Sequence, residues 1–197
     1  MSFKFTCLLL TTTGKATGKP FSTKPTYNMK HSVIILLITL LLACSFTTYA
    51  QDSLLTTLPT TKEEFVASEP ALISTINWLE QTPLDQEKDK RQLQNALFVA
   101  WVTNSPTVTI SVNAKLIPFT KKNDQMIIFF MAGWTRYCLQ NNYSKDEVQC
   151  NLAGIRTAMA VYKKGIAIKK DKEMEKLIAL NEKGELEGWV KSELEKK

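Results

Sequence analysis

Nine consecutive residues, Met126 to Trp134 (MIIFFMAGW), carry neither a charge nor a strongly polar side chain. A helix that is apolar on every side has no face to turn to water, so other helices must surround it. The run is far short of the ~20 residues that cross a bilayer. It therefore predicts the buried centre of a helical bundle, and Gly133 within it would let a neighbouring helix come close.

The flanking segments supply the surrounding helices. Asn141-Asn142-Tyr143 reads as a turn, and Ser144 followed by Glu147 has the form of a capping box. Beyond it Val148, Leu152, Ile155, Met159 and Tyr162 are spaced 4, 3, 4 and 3, a single core-facing stripe. Gly165 after Lys163 and Lys164 marks the end of that helix. Upstream, residues 52–60 form an ordered or partly ordered lead-in, and Thr61 with Glu64 makes another capping box. The helix it opens runs through Ile73, Ile76 and Leu79 towards Pro83. Pro70 predicts a break within it, since proline lacks the amide that an interior position needs. Asp85 to Val102 starts acidic, as the helix dipole favours, and stops at Asn104-Ser105-Pro106. Asp171 caps a further helix with Met174, Leu177 and Ile178 inward. After Asn181 to Gly184 comes a last one carrying Leu186, Trp189, Val190 and Leu194.

Residues 107–119 fit two patterns. Val108, Ile110 and Val112 alternate as in a strand, whereas Ser105-Pro106 followed by Val108, Val112 and Leu116 suits a capped helix. A strand needs a partner and the chain offers no other, which favours the helix. Residues 107–113 remain the one place for a short irregular or strand-like piece. The expected fold is all-α: a single-domain bundle of about six helices.

Ahead of this domain, Met29 to Gln51 (MKHSVIILLITLLLACSFTTYAQ) has the three parts of a secretory signal peptide. Lys30 and His31 form the basic start, Val33 to Ala43 the apolar run, and Thr48-Tyr49-Ala50 the small-residue cleavage site. The signal resembles those of Gram-negative envelope proteins. It implies three regions: an extension at 1–28 with translation starting at Met29, the signal at 29–50, and a helical domain at 51–197. Leu41-Leu42-Ala43-Cys44 offers an alternative, a lipoprotein box in which Cys44 is lipidated.

Cleavage after Ala50 changes the function classes open to the chain. Five of the 25 basic residues and none of the 19 acidic ones precede Gln51, so the remainder carries 20 against 19. The basic balance belongs to the targeting segment, and the composition argument for nucleic acid falls with it. His31 is the sole histidine. Without it, Ser-His-Asp and Cys-His catalysis and histidine zinc sites are excluded. No P-loop, dinucleotide-binding glycine set, G-x-S-x-G or H-E-x-x-H is present.

Cys138 and Cys150 are then the remaining cysteines, six residues to either side of Ser144. Residues equidistant from the turn of an antiparallel hairpin face one another, and in an oxidising compartment such a pair predicts a disulfide. Around the same hairpin, Trp134, Tyr137, Arg136 and Arg156 are candidate ligand contacts. Two inward arginines would clamp a carboxylate or phosphate, while the ordinary reading is core aromatics and ion-paired arginines. Asp85, Glu87 and Asp89 lack the glycine and glutamate of a calcium loop. Lys163, Lys164, Lys169, Lys170 and Lys172 read as a solvated linker.

The expectation is an exported protein, periplasmic or extracellular, that acts by binding a protein or small molecule of the cell envelope. No catalytic residue, metal or cofactor is implied, nor any nucleic acid, and a membrane enters only if Cys44 is lipidated. The rivals are an outer-membrane lipoprotein anchored through Cys44 and a hydrolase working with carboxylates alone.

Overall fold

In the computed structural model residues 53–196 are described, and they contain six α-helices and one 3-10 turn. The helices are α1 (Lys62–Gln81), α2 (Lys88–Asn104), α3 (Met126–Gln140), α4 (Glu147–Lys163), α5 (Lys172–Glu182) and α6 (Leu186–Glu195). The 3-10 turn is Pro118–Lys121. No strand occurs among the described residues, and the all-α bundle is the fold. The expected signal peptide, the Ala50 cleavage point and Cys44 lie outside the described residues.

The apolar run does sit at the centre. Met126, Phe129, Phe130, Ala132, Gly133 and Trp134 are buried on α3, whose principal neighbour is α4. Helix α4 buries more than the single stripe expected of it. Leu152, Ile155, Met159 and Tyr162 are inside, and so is a second row, Cys150, Gly154, Thr157 and Val161, again at spacings of 4, 3 and 4. This second row faces α3. A Cβ built on Gly133 would stand 2.5 Å from the Ala153 carbonyl oxygen and 2.7 Å from Thr157 Cβ, and one on Gly154 2.7 Å from the Phe130 oxygen. Each glycine thus permits the backbone of one helix to meet the other.

Helix α1 packs on α2 and α3, and α6 on α4 and α5. The lead-in is ordered as a strap over α1 and α2. Leu55 is buried; its amide donates to Thr75 Oγ1 (2.8 Å) and its carbonyl accepts from Gln94 Nε2 (3.3 Å). Thr75 Oγ1 in turn donates to Gln94 Oε1, closing the network.

Local signals are met at most helix ends. Thr61 and Glu64 form the full capping box, and the Asp171 carboxylate accepts from the Glu173 and Met174 amides. Gly165 and Gly184 both take positive φ. At Gly184 the last turn of α5 closes as a Schellman motif: its amide donates to the Asn181 carbonyl and the Glu185 amide to that of Leu180.

Four expectations need correction. Helix α1 runs unbroken through Pro70. Pro70 and Val66, whose carbonyl loses its partner, both lie on the exposed side where water can satisfy the group. Helix α2 begins at Lys88, not Asp85, because Glu87 adopts a left-handed φ of 43° that a helix cannot continue. Helix α4 is capped by Asp146, which accepts from the Gln149 amide, and not by Ser144. Left-handed Asn142 and Tyr143 use up the turn before the helix can start. The helix favoured for 107–119 is absent, and residues 105–117 form neither helix nor strand, the irregular piece allowed for at 107–113. Ser105 Oγ accepts from the Thr107 and Val108 amides and turns the chain out of α2, after which it has no regular secondary structure up to Pro118. Val108, Leu116 and Ile117 are buried by the bundle.

Candidate functional site

From Thr107 to Ser111 burial alternates even without a ladder, and this builds one wall of a pocket; the alternation stops at Val112, which is 51% exposed. Val108 turns into the core and Ile110 packs against it, so Thr107, Thr109 and Ser111 face the other way. Opposite them stand Trp134 and Cys138, one turn apart on α3, and Cys150 at the start of α4. Tyr143, Ser144, Lys145 and Glu147 form the rim. The pocket volume is about 310 Å³, at the small end of ligand sites.

The sulfurs of Cys138 and Cys150 are 3.5 Å apart. The symmetric placement around Ser144 therefore does bring the two together. Both are free thiols here, since a bonded pair would stand at about 2.05 Å. Their surroundings differ. Burial pushes the Cys138 thiol up, opposed by contacts with Cys150 and with the Trp134 indole. Cys150 is pushed up to about 12, first by burial, then by its contact with Cys138 and by the charges of Asp146 and Glu147. Its S–H lies 3.8 Å from the Ser144 carbonyl, within reach of a weak bond. Trp134 is 3% exposed, and its Nε1–H is a buried donor without a hydrogen-bond partner.

Tyr143 at the rim is under local strain. A φ of 56° is unfavourable for a bulky residue, and the ring is held by a 3.0 Å hydrogen bond from its hydroxyl to Glu69 of α1. That carboxylate keeps the phenol proton in place and raises its pKa.

Of the ligand contacts named from sequence, Trp134 alone lines this pocket. Arg136 points to the opposite side of α3, where it pairs with Glu80 (2.7 Å) and donates to Asn77 and Thr157. Arg156 is exposed and donates to Asn181 of α5. The two arginines diverge and form no clamp. Tyr137 is half-buried against the core, outside the pocket. The lysine run is partly tied down: Lys163 pairs with Glu182, and Lys164 donates to the Glu80 carbonyl. Asp171, the carboxylate buried among the described residues, is occupied in capping α5.

Sequence reasoning missed Thr107, Thr109 and Ser111. The signal was the row of hydroxyls on the odd positions of the apolar alternation, and it has meaning only once the alternation lacks a strand partner. Among the described residues no group of three or more histidines, cysteines or acidic residues could hold a metal, and no helix is long and apolar enough to cross a membrane. No family model, curated protein or solved structure matches this chain.

Proposed function

We propose that this chain is an exported helical binding protein of the cell envelope or the extracellular space, and that Cys138 and Cys150 close to a disulfide at its hairpin pocket. The observation that carries the reading is the pair of buried sulfurs at 3.5 Å beside a hydroxyl-lined cavity. Closing the bridge brings these sulfurs from 3.5 Å to the bonded distance of about 2.05 Å. The export half rests on the three-part segment at Met29 to Gln51. With His31 removed at cleavage, the site works by contact and thiol chemistry, not by histidine acid–base catalysis.

Intact mass of the protein recovered from its native host tests both halves. The expected species begins at Gln51 and is two hydrogens lighter than the dithiol. A diacylglyceryl-modified Cys44 would replace the soluble reading by the anchored one, and two titratable thiols in the unfolded, unreduced protein would remove the disulfide. The bridge spans 12 residues, for which loop closure gives at most about 3 kcal/mol. Reduction therefore lowers the melting temperature by several degrees and leaves the fold intact.

A further inference from the structure

We infer that the hairpin pocket admits a small zwitterionic disulfide of the cystine type, with Cys138 the thiol that attacks it and Cys150 the thiol that resolves the adduct. This deepens the disulfide reading above and rests on it.

The two sulfurs share a pocket but not an environment. Cys138 stands beside the Trp134 indole, whose buried N–H has no hydrogen-bond partner and whose contact favours the Cys138 thiolate. A donor already in place beside a sulfur stabilises charge that develops there. Cys150 faces the other way electrically: its neighbours Asp146 and Glu147 disfavour a thiolate, and it keeps its proton longest. The order of reaction follows from this asymmetry, since the thiolate is the nucleophile in exchange.

The rim supplies the recognition. Lys145 and Glu147 present opposite charges within one turn of backbone, and Thr107, Thr109, Ser111 and Ser144 add hydroxyls. An amino-acid headgroup offers a carboxylate for the lysine and an ammonium for the glutamate. The pocket, about 310 Å³ and at the small end of ligand sites, suits a small molecule.

The chemistry balances with the disulfide RSSR as oxidant. The Cys138 thiolate attacks one sulfur of RSSR, an S–S bond breaks, and RS⁻ leaves to take up the proton that Cys138 gave away. The Cys150 thiol then loses its proton and attacks Cys138 Sγ. The second RS⁻ departs and is protonated, leaving the Cys138–Cys150 bond. Two protein thiols are oxidised and one RSSR is reduced to two RSH.

The test uses the reduced full-length protein and L-cystine, with bis(2-hydroxyethyl) disulfide as an uncharged comparator, followed by mass spectrometry. Cys150→Ala is expected to accumulate a half-cystine adduct on Cys138, and Cys138→Ala to label Cys150 at least about tenfold more slowly. Lys145→Glu slows the reaction with cystine several-fold and leaves that with the uncharged disulfide unchanged. Circular dichroism confirms that each variant folds. Equal labelling of the two cysteines, or equal loss with both reagents in Lys145→Glu, overturns the inference while a bridge that still forms in the wild type keeps the disulfide reading. A wild type whose pair no disulfide reagent closes overturns that reading itself.

Discussion

Replacing Gly133 by alanine probes the closest approach in the core. The added Cβ would lie 2.5 Å from the Ala153 carbonyl oxygen and 2.7 Å from Thr157 Cβ. Ordinary carbon–oxygen contact begins at about 3.3 Å, so the two helices must part by roughly 0.8 Å. The obstacle is backbone and cannot rotate away, and Thr157 Oγ1 is further held by the donor Arg136 Nη2 at 3.1 Å. Overpacking of this kind costs about 1–3 kcal/mol, here at the upper end because α3 and α4 form the centre of the bundle. Alanine returns up to about 1 kcal/mol through its higher helix propensity. The net expectation is a loss of about 2 kcal/mol, or roughly 4–8 °C in melting temperature for a domain of this size. Gly188 on α6 is the matched control, since nothing lies within 4 Å of a Cβ built there. Gly188→Ala should stabilise by up to about 1 kcal/mol. Urea unfolding followed by circular dichroism, with unchanged slope, measures both. A Gly133→Ala protein as stable as the wild type, or more so, would refute the close crossing.

Three further outcomes follow from named contacts. Buried Arg91 donates to the carbonyls of Leu79, Thr82 and Pro83, capping the C-terminus of α1 from a neighbouring helix; Arg91→Met should cost about 2–3 kcal/mol, and a thermal melt within a degree of wild type would contradict that role. Asn123 ties the loop after α4 by donating to the Lys169 carbonyl and accepting from its amide, both at 2.9 Å; Asn123→Ala should speed hydrogen exchange at the Lys169 amide well before global unfolding, and unaltered protection there would count against the tie. Burial holds the Cys138 and Cys150 thiols protonated, Cys150 up to about 12. The unfolded thiols release their protons near pH 8.5, so raising the pH favours the unfolded state of the reduced protein. Its stability should decline from about pH 9 towards 12, more steeply than that of the oxidised protein, which lacks these protons. Parallel curves for the two redox forms would show that the thiols are not shielded in the fold.

What was legible in the residue order is what depends on short-range periodicity and on backbone hydrogen bonds within a few residues. The all-apolar Met126 to Trp134 run had to be central because no face of it tolerates water, and the caps at Thr61 and Asp171 and the left-handed Gly165 satisfy helix ends locally. The nearness of Cys138 and Cys150 was legible too, since it needs only an antiparallel hairpin and equal distances from its turn. Features set by solvent exposure or by partners distant in sequence were not. Proline at position 70 leaves α1 whole because the freed carbonyl faces water, a matter of which side the bundle covers. Arg136 turns to Glu80, 56 residues away, and not to Arg156 on the neighbouring helix. The pocket wall at Thr107 to Ser111 is a chain without regular secondary structure and with no strand beside it among the described residues, held because the bundle buries Val108 and Leu116. Hydrophobic burial of distant residues, which has no signature in local spacing, placed those hydroxyls opposite the two sulfurs.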